Sequence, residues 1–274
     1  MSGGCDADDG RESVDEPTVV TAHEDGVTTI TINRPHRKNA IDQDTWKTLA
    51  DALRAADADD GTRVVVLTGA GGDFCAGADL SVDSTIAHPL RRMHHVNRTA
   101  VTLHELETPT IAKVDGVAVG AGWNLALGCD LVAASDRARF SQIFAKRGLS
   151  LDFGGSWLLP KLVGLQQAKR IALLADFVGP EEAADLGLVT WVKPAAELDA
   201  FVTETAKKLA AGPPVALAQT KALLNEGADA TLREALENEA RAQTVNFGTT
   251  DARAAFEAFR AKTEPTFTGE WKGP

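Results

Sequence analysis

The sequence predicts an α/β fold, in which short buried strands alternate with helices. The run Val27–Ile32 is rich in β-branched residues and alternates with a period near two, as a strand does. Further short runs are continuously apolar, which suits the buried strands of a largely parallel sheet. These runs are 64–67, 111–114 and 131–134. Residues 42–57 show apolar positions at helical spacing after Asp42, a residue type that caps helices.

Beyond about residue 160 strand patterns become sparse and helical patterns dominate. Thr231 precedes Glu234 by three residues, which is the pattern of a capping box at a helix N-terminus. We expect the helix that begins there to run through about Phe247 and to end at Gly248, since glycine is favoured just past helix ends. The C-terminal part of the chain is therefore predicted to be helical.

The composition predicts a soluble enzyme of a reducing compartment. With 274 residues, of which 44% are hydrophobic, the chain can bury a substantial core in one domain of about 200–250 residues with tails. Cys5, Cys75 and Cys129 are odd in number and lack metal-ligand spacing, so we expect free thiols and no bound metal. Cys75 is in a position where a nucleophile is conceivable, but a packing role is favoured.

The charge distribution excludes some classes of partner. The net charge of -11 argues against nucleic acid as a partner. Residues 1–17 carry six acidic residues against a single arginine and almost nothing apolar, which predicts a disordered acidic leader. The leader has no apolar core of a signal peptide, and no later stretch is long enough to span a bilayer. We therefore expect a cytoplasmic protein that does not use a membrane.

Two glycine-rich segments, 74–80 and 114–124, each follow an apolar run that is predicted to be a strand. Residues as small as these let the backbone approach a ligand closely, and the first N–H groups of a helix that follows a strand lack partners. If two such ends face each other, their N–H groups form an oxyanion hole, which stabilises negative charge on an oxygen atom.

Together with other motifs, these segments resemble the crotonase superfamily, also called the enoyl-CoA hydratase/isomerase superfamily, from about Val19 to the C-terminus. The resemblance implies a spiral of repeated β-β-α units, followed by a C-terminal helical region that drives trimerisation, commonly as a dimer of trimers. It divides the chain into a leader (1–17), a spiral core (18–205) and a helical oligomerisation and CoA-closing region (206–274). The other shared motifs are Arg34-Pro35, Lys38-Asn39-Ala40, 148–157, 181–189, Phe259 and Lys262.

The resemblance also implies that acyl-CoA thioesters are the substrates, with coenzyme A present only as part of the substrate and no cofactor bound permanently. By position, the backbone N–H groups of Ala78 and Ala121 form the oxyanion hole. Removal of a proton next to the thioester places negative charge on its carbonyl oxygen, and two fixed donors stabilise that charge. The implied CoA-binding residues are Lys38, Ala40, Ala76, Asp79, Leu80, Phe259 and Lys262.

Coenzyme A is polyanionic, so an acidic enzyme must present local positive charge to its phosphates. Arg34, Arg37 and Lys38 are candidates at one end of the chain, and Lys262 is a candidate at the other. Each of them is equally compatible with an ordinary surface cation. The resemblance favours Lys38 and Lys262, the latter as a residue that reaches the ligand of a neighbouring subunit.

Both glutamates used by the hydratases of this family are missing. Asn124 occupies the first position and Phe144 the second, and neither Glu nor Asp occurs between Ser141 and Leu151. Asparagine is not a general base, and phenylalanine cannot hold a water molecule. Ordinary hydratase activity is therefore disfavoured.

One carboxylate remains near the second missing position, that of Asp152, just before a predicted helix at 156–163. Spacing alone favours a helix N-cap for this residue. In several isomerases and aspartate-nucleophile dehalogenases of the family, an acidic residue at this position enters the acyl pocket. The resemblance therefore favours Asp152 as a base. The expected acyl pocket, whose apolar surroundings would raise the pKa of Asp152, consists of Trp123, Phe144, Phe153 and Trp157. Large residues at such spacing also fit a hydrophobic core.

Asn124 is assigned to the catalytic site with Asp152. It is expected to donate to the acyl group, to hold a water or to orient Asp152, while simple helix polarity explains it equally well. His94 and His95 fall on a predicted helix that in this family often borders the acyl pocket. A histidine there would support a dehalogenase, but surface or packing roles are more common, so we assign neither residue a role.

The sequence thus predicts an acyl-CoA double-bond isomerase, with Asp152 as the single base and the amides of Ala78 and Ala121 as the oxyanion hole. Two alternatives remain open. One is an enoyl-CoA hydratase, or an acyl-CoA hydrolase or dehalogenase, that uses the same aspartate. The other is a CoA-thioester binding protein that has lost catalysis, for which the missing glutamates are the supporting feature.

Overall fold

A six-stranded sheet forms the centre of the computed structural model, which describes residues 16–81 and 88–272. The strands follow the order β1-β2-β3-β4-β6-β8. The first pair is antiparallel and every other pair is parallel, as the continuously apolar runs predicted. The strands are β1 (Val19–Glu24), β2 (Val27–Ile32), β3 (Val64–Gly69), β4 (Thr110–Val114), β6 (Leu131–Ser135) and β8 (Trp191–Lys193).

A second, smaller sheet consists of β5 (Val117–Val119) and β7 (Arg139–Ser141), which pair in parallel. Isolated parallel bridges add two more segments of the chain to this sheet. The bridge partners are Cys75 with Ala118 and Ile41 with Ala78.

Helices connect the strands of the two sheets and form the C-terminal part of the described chain. The helices are α1 (Gln43–Asp57), α2 (Pro89–Glu105), α3 (Ala121–Leu127), α4 (Gly155–Leu174), α5 (Pro180–Asp185), α6 (Ala195–Ala210), α7 (Pro214–Gly227), α8 (Leu232–Phe247) and α9 (Thr250–Ala261). Short 3-10 helices lie at Pro35–Arg37, Ala70–Gly72 and Ile143–Arg147.

The chain follows the same course four times. A strand of the main sheet leads to a short segment of the second sheet and then to a helix. The first turn runs through β2 and Ile41 to α1, and the second through β3 and residues 75–78 to α2. The third and fourth turns run through β4 and β5 to α3, and through β6 and β7 to α4. This repetition confirms the predicted spiral of β-β-α units.

Local sequence explains where several helices begin. The Asp42 side chain accepts a hydrogen bond from the Thr45 N–H at 2.9 Å and so caps α1. Thr231 and Glu234 form the predicted capping box of α8, and Gly248 follows at its end. The predicted helix at 156–163 matches the first part of α4, because Gly164 at φ +73° is not helical and separates this part from a second helical segment that runs to Leu174.

Hydrophobic cores lie on both faces of the main sheet. Along β3, Val65 and Leu67 belong to the larger core, whereas Val64 and Val66 belong to a second core. Helix α6 contributes to the second core through residues at helical spacing, namely Leu198, Val202 and Ala206. Because both faces of β3 are covered, its residues from Val64 to Leu67 are continuously apolar rather than alternating.

The structure describes the region around the predicted boundary at residue 205 and only the end of the predicted leader. Residues 1–15 of the predicted leader lie outside the described residues. Helix α6 runs across the predicted boundary at residue 205, and Ala206 is buried in the second core. The assignment of 206–274 to oligomerisation stays a prediction. No helix within the described ranges has the length and apolarity to cross a bilayer.

In the second sheet, the two glycine-rich segments lie backbone to backbone. The Cys75 N–H donates to the Val117 carbonyl at 2.9 Å, and the Val119 N–H donates to the Cys75 carbonyl at 3.0 Å. Gly122 follows in the first turn of α3, where a Cβ atom would lie 2.2 Å from the Cys75 carbonyl oxygen. The contact therefore requires a glycine at this position.

We expect a Gly122→Ala substitution to lower the free energy of unfolding by about 1–3 kcal/mol, because the new methyl group must push the two segments apart. Gly227→Ala in α7 is the matched control, since its added Cβ meets nothing within 4 Å. The control should leave stability unchanged or raise it by up to about 1 kcal/mol. Chemical denaturation measures both, and equal stabilities of the two variants would contradict the predicted contact.

Candidate active site

The two glycine-rich segments bring Ala78 and Ala121 to the same cavity. Gly77 adopts φ +87°, and a Cβ atom there would lie 2.8 Å from the Val119 carbonyl oxygen and 3.5 Å from the Ala121 nitrogen. Gly120 at φ +56° turns the chain from β5 into α3. Within the described part of the chain, neither the Ala78 nor the Ala121 N–H has a hydrogen-bond acceptor. Both donors are therefore available to a ligand.

The cavity has a volume of about 390 Å³ and contains one carboxyl group without an ionic partner in the described residues, that of Asp152. Its lining comprises Arg37, Ala40, residues 76–81, residues 119–121, Ile143, Phe144, Arg147, Leu149 and Asp152. The walls combine backbone donors, apolar side chains and two cationic side chains. Such a mixture suits a ligand with a polar carbonyl, an apolar group and an anionic part.

The Asp152 carboxyl group lines the cavity. Its Oδ1 atom is buried and has no hydrogen-bond partner among the described residues. Burial raises its pKa from 3.8 to about 6. The N-cap of α4 is Gly154, and no side chain caps that helix, so the helix-capping interpretation of Asp152 is wrong. At the start of α4, the backbone carbonyl of Asp152, and not its side chain, accepts a hydrogen bond from the Gly155 N–H at 2.9 Å.

Asn124 lies behind Asp152 and holds its backbone. The Asn124 Nδ2 atom donates to the Asp152 carbonyl at 2.9 Å, and Asn124 Oδ1 accepts from Gln142 Nε2 at 2.8 Å. Asn124 and Gln142 are completely buried. A Cβ at Gly155 would lie 2.4 Å from Asn124 Nδ2, so this glycine permits the close approach. Of the three expected roles of Asn124, the geometry fits the orientation of Asp152.

Gln142 was given no role on the basis of the sequence. It follows β7 directly and lies within a run of three buried residues, Phe140-Ser141-Gln142. A polar side chain in such a run must find buried partners, because an unpaired buried amide is costly. This pattern in the sequence could have indicated that Gln142 has a buried partner, although it does not show that the partner is Asn124.

Of the four aromatic residues expected in the acyl pocket, Phe144 lines this cavity and the other three lie elsewhere. Trp123 is completely buried against Phe140, with ring centroids 5.2 Å apart. Phe153 stacks on Trp46 at 5.0 Å in the core.

Trp157 lines a different cavity, where it meets His104 edge to face at 5.1 Å and lies 4.4 Å from the Lys161 ammonium. The expected contribution of these three rings to the acyl pocket is therefore corrected. Consecutive side chains of a turn point in different directions, so Asp152 faces the cavity while its neighbour Phe153, at φ +47°, faces the core. Aliphatic side chains, those of Ile143 and Leu149, contribute to the apolar walls instead.

Several of the expected CoA-binding residues lie around the cavity. Ala40, Ala76, Asp79 and Leu80 all line it, and the Leu80 side chain is largely exposed. Lys38 is close by in sequence and structure, and its exposed ammonium lies 3.7 Å from the Asp73 carboxylate.

The other expected CoA-binding residues do not reach this cavity within one chain. Phe259 is 85% exposed on α9, and Lys262 follows that helix as its C-cap. Arg34, a candidate for a phosphate contact, is buried and bound to Asp42 and Asp79 at 3.0 Å each. The Arg34 guanidinium is thus not available to a phosphate, which corrects that expectation.

Arg147 lines the cavity but was not identified from the sequence. It follows Phe144 by three residues in the 3-10 helix Ile143–Arg147, and residues three apart in such a helix share a face. Arg147 and Arg37 are exposed side chains without an acidic partner among the described residues. They place two positive charges beside the cavity of an otherwise acidic chain.

The remaining candidate residues, Cys75, His94 and His95, do not line the cavity. Cys75 is completely buried, and burial raises the pKa of its thiol to about 12, which fits a packing role. His94 and His95 lie on α2 and do not line the cavity. Within the described ranges no group of three or more His, Cys, Asp or Glu side chains is placed to hold a metal ion.

Comparison with known proteins shows the family of this chain. A family model described as enoyl-CoA hydratase/isomerase matches residues 22–270. The chain belongs to this family, the crotonase superfamily, whose members are enzymes that process CoA thioesters.

The chain is 38% identical to the 1,2-epoxyphenylacetyl-CoA isomerase of Escherichia coli (strain K12), over 90% of this chain and 97% of that protein. It is 35% identical to the short-chain-enoyl-CoA hydratase of Clostridium acetobutylicum, over 89% and 95% of the respective chains. The crystal structure of enoyl-CoA hydratase from Bacillus anthracis superimposes with a TM-score of 0.89 at 29% identity, covering 93% of this chain and all of that one.

We expect the raised pKa of Asp152 to lower the stability of the folded protein as pH increases. The folded pKa of about 6 exceeds the ordinary value of 3.8 for an aspartate, so the folded state binds this proton more tightly than the unfolded state. The associated stability is present below about pH 4 and is lost as pH rises through about 6. At pH 7 an Asp152→Asn variant should therefore be more stable than the parent by up to about 3 kcal/mol.

Urea denaturation of both proteins at several pH values between 4 and 7 measures this difference. An Asp60→Asn variant, changed at an exposed position of the same residue type, should follow the parent curve closely. A gain for Asp152→Asn that grows toward low pH would show instead that the folded protein stabilises the ionised carboxylate.

Proposed function

We propose that this protein is an acyl-CoA double-bond isomerase that acts by proton transfer through a thioester enolate. The observation that carries the proposal is one unpaired carboxyl group with a raised pKa, that of Asp152, in the same cavity as two free backbone N–H donors. The other carboxylate at this cavity, Asp79, is bound to Arg34 and Ser81. Asp79 is therefore not free to act as the base.

In the proposed reaction, the thioester oxygen accepts hydrogen bonds from the Ala78 and Ala121 N–H groups. The ionised Asp152 removes a proton from C2 of a 3-enoyl thioester, and the electron pair of that C–H bond moves into a dienolate whose charge lies on the thioester oxygen. The protonated Asp152 then returns the proton to C4. The double bond has moved to C2–C3, and the carboxylate is restored without a net change in protons.

Hydration has weaker support, because it needs a further group to activate and place a water molecule. Asn124 occupies one of the family's glutamate positions, but both ends of its amide are bound, to Asp152 and to Gln142. Phe144 occupies the other position and presents an apolar ring to the cavity. The E. coli relative is named as an isomerase of an epoxide CoA thioester and the C. acetobutylicum relative as a hydratase, so the names of the relatives favour neither reaction.

We further propose that the protein is a homotrimer or a dimer of trimers. The support is a set of large apolar side chains on α8 and α9, each more than half exposed in a single copy: Leu232, Leu236, Phe247, Phe256 and Phe259. Exposed apolar surface of this kind is typical of an interface. In such an assembly, Phe259 and Lys262 would close over the CoA of a neighbouring copy, in agreement with the resemblance.

We expect the protein to convert a 3-enoyl-CoA into its 2-enoyl isomer in deuterated water with no water added. The acyl chain should take up deuterium to the extent that the protonated Asp152 exchanges with solvent before it delivers its proton to C4. An Asp152→Asn variant should lose turnover by at least about 100-fold, since a positioned general base contributes roughly that much. Mass spectrometry and the absorbance of the conjugated product measure the two effects. The kcat/KM of the parent should rise as pH increases through about 6, where Asp152 ionises.

The matched control is Asp176→Asn, an exposed aspartate that pairs with Lys146 outside the cavity, and it should keep parental turnover. Addition of water to trans-2-enoyl-CoA without double-bond migration would identify a hydratase instead. Tight binding of acyl-CoA without any turnover would identify a binding protein.

We also propose that Arg37 and Arg147 contact the phosphates of coenzyme A. Substitution of either by glutamine should raise the KM for an acyl-CoA by about two- to fivefold, as is usual for one exposed charge pair. The same variants should act normally on the matching pantetheine thioester, which has no diphosphate. Steady-state kinetics on both substrates, with Arg54→Gln as a control on the outer face of α1, tests this. An equal effect on both substrates would contradict the phosphate contact.

A further inference from the structure

Arg34 lies where two parts of the site meet. Only 7% of the residue is exposed, which is unusual for an arginine. Its guanidinium lies 3.0 Å from the carboxylates of both Asp42 and Asp79, and it donates to the Ala40 carbonyl. One buried cation thus contacts three acceptors that come from two separate segments of the chain.

These two segments have different tasks in the proposed reaction. Ala40 and Asp42 belong to the turn that leads from the CoA-binding motif into α1, and Asp42 also caps that helix. Asp79 belongs to the first glycine-rich segment and directly follows Ala78, one of the two donors of the oxyanion hole. Arg34 therefore connects the CoA-binding turn to the oxyanion hole.

The backbone geometry shows why this connection matters for Ala78. The Ile41 N–H donates to the Gly77 carbonyl at 2.8 Å, and the Asp79 N–H donates to the Ile41 carbonyl at 2.9 Å. In such a parallel bridge, the N–H of the intervening residue points away from the partner strand. The Gly77 carbonyl and the Asp79 N–H thus face Ile41, whereas the Ala78 N–H points away from Ile41. The bridge is isolated, and the neighbouring backbone contact between the two segments is the Ala76 N–H, which donates to the Lys38 carbonyl at 2.9 Å.

The Asp79 carboxylate completes the arrangement. Its Oδ1 accepts from the Ser81 N–H at 3.0 Å and from the Ser81 hydroxyl at 2.6 Å, while Oδ2 faces Arg34. Burial opposes ionisation, but the hydrogen bonds from Ser81 and the charge of Arg34 hold the pKa of Asp79 below its usual value. The Asp79 carboxylate is therefore hydrogen-bonded to Ser81 through Oδ1 and ion-paired with Arg34 through Oδ2, which has no hydrogen-bond partner among the described residues.

We propose that Arg34 is a positioning residue of the oxyanion hole, which fixes the direction of the Ala78 N–H by clamping Asp79 against Ala40 and Asp42. The inference rests on the proposed function, because it assumes that this N–H binds the thioester oxygen. Arg34 does not touch the substrate. Its loss should weaken polarisation of the thioester carbonyl and slow the reaction, while acyl-CoA still binds.

The test uses cinnamoyl-CoA, a conjugated thioester whose absorbance moves to longer wavelength when its carbonyl oxygen is polarised. The full-length protein should show this red shift on binding. Arg34→Gln should lose most of the shift at saturation, and its kcat for the 3-enoyl-CoA should fall by at least about 10-fold with KM changed less than about threefold. Arg34→Lys should remain impaired, because one ammonium cannot span both carboxylates.

The truncated substrate separates positioning from a phosphate contact. If Arg34 positions Ala78, Arg34→Gln should lose the same factor in kcat with the acyl-CoA and with the acyl-pantetheine thioester. A loss confined to the acyl-CoA, or a raised KM with the red shift intact, would overturn the proposal. Arg137→Gln is the matched control, since it breaks an arginine–aspartate pair outside the cavity and should keep the red shift.

The Asp79→Asn variant and the red shift of the parent protein complete the test. Asp79→Asn changes the same clamp from the other side and should also reduce the red shift, so it decides the case if Arg34→Gln does not fold by circular dichroism. A parent protein that binds cinnamoyl-CoA without a red shift would overturn the oxyanion hole itself and the proposed function with it. A red shift in the parent that persists in folded Arg34 and Asp79 variants would overturn the positioning role alone.

Discussion

Close backbone contact between the two glycine-rich segments is the constraint on which the site depends. The parallel bridge between Cys75 and Ala118 brings the segments together, and Gly77 and Gly122 leave no side chain in the space between them. The same contact directs the N–H of Ala121 into the cavity that the other segment lines. Two N–H donors that are distant in the sequence thus face one cavity. Because the backbone around them is already fixed, little reorganisation energy is needed when they bind a negatively charged oxygen.

Two aspartates at the cavity have different environments, which shift their pKa values in opposite directions. Asp79 has a guanidinium and a serine as partners, which hold its pKa down, whereas burial without a partner raises that of Asp152. Under the proposed function the two carboxyl groups, whose pKa values are displaced in opposite directions, take different roles, Asp79 a structural one and Asp152 a chemical one. In that proposal Arg34 acts through Asp79, whose charge it neutralises and whose segment it holds.

The family fold and the chemistry of this chain are separable. The spiral of β-β-α units supports relatives named as isomerases and as hydratases. At the two glutamate positions this chain has a buried amide, which is bound to the backbone of Asp152 and to Gln142, and an aromatic ring. The amide pair holds the backbone of Asp152, so the residue at the first position supports the carboxyl group that this chain retains.

The sequence by itself determined the features that depend on neighbouring residues. Period, β-branching and caps located β2, α1 and α8, because these patterns act within a few residues. The motifs also singled out Ala78, Ala121 and Asp152, which line one cavity. Only the tertiary structure decided that Phe153 faces the core, that Arg34 is buried and that Arg147 reaches the cavity. The direction and partners of a side chain depend on segments far away in the chain, and no local pattern encodes how those segments meet.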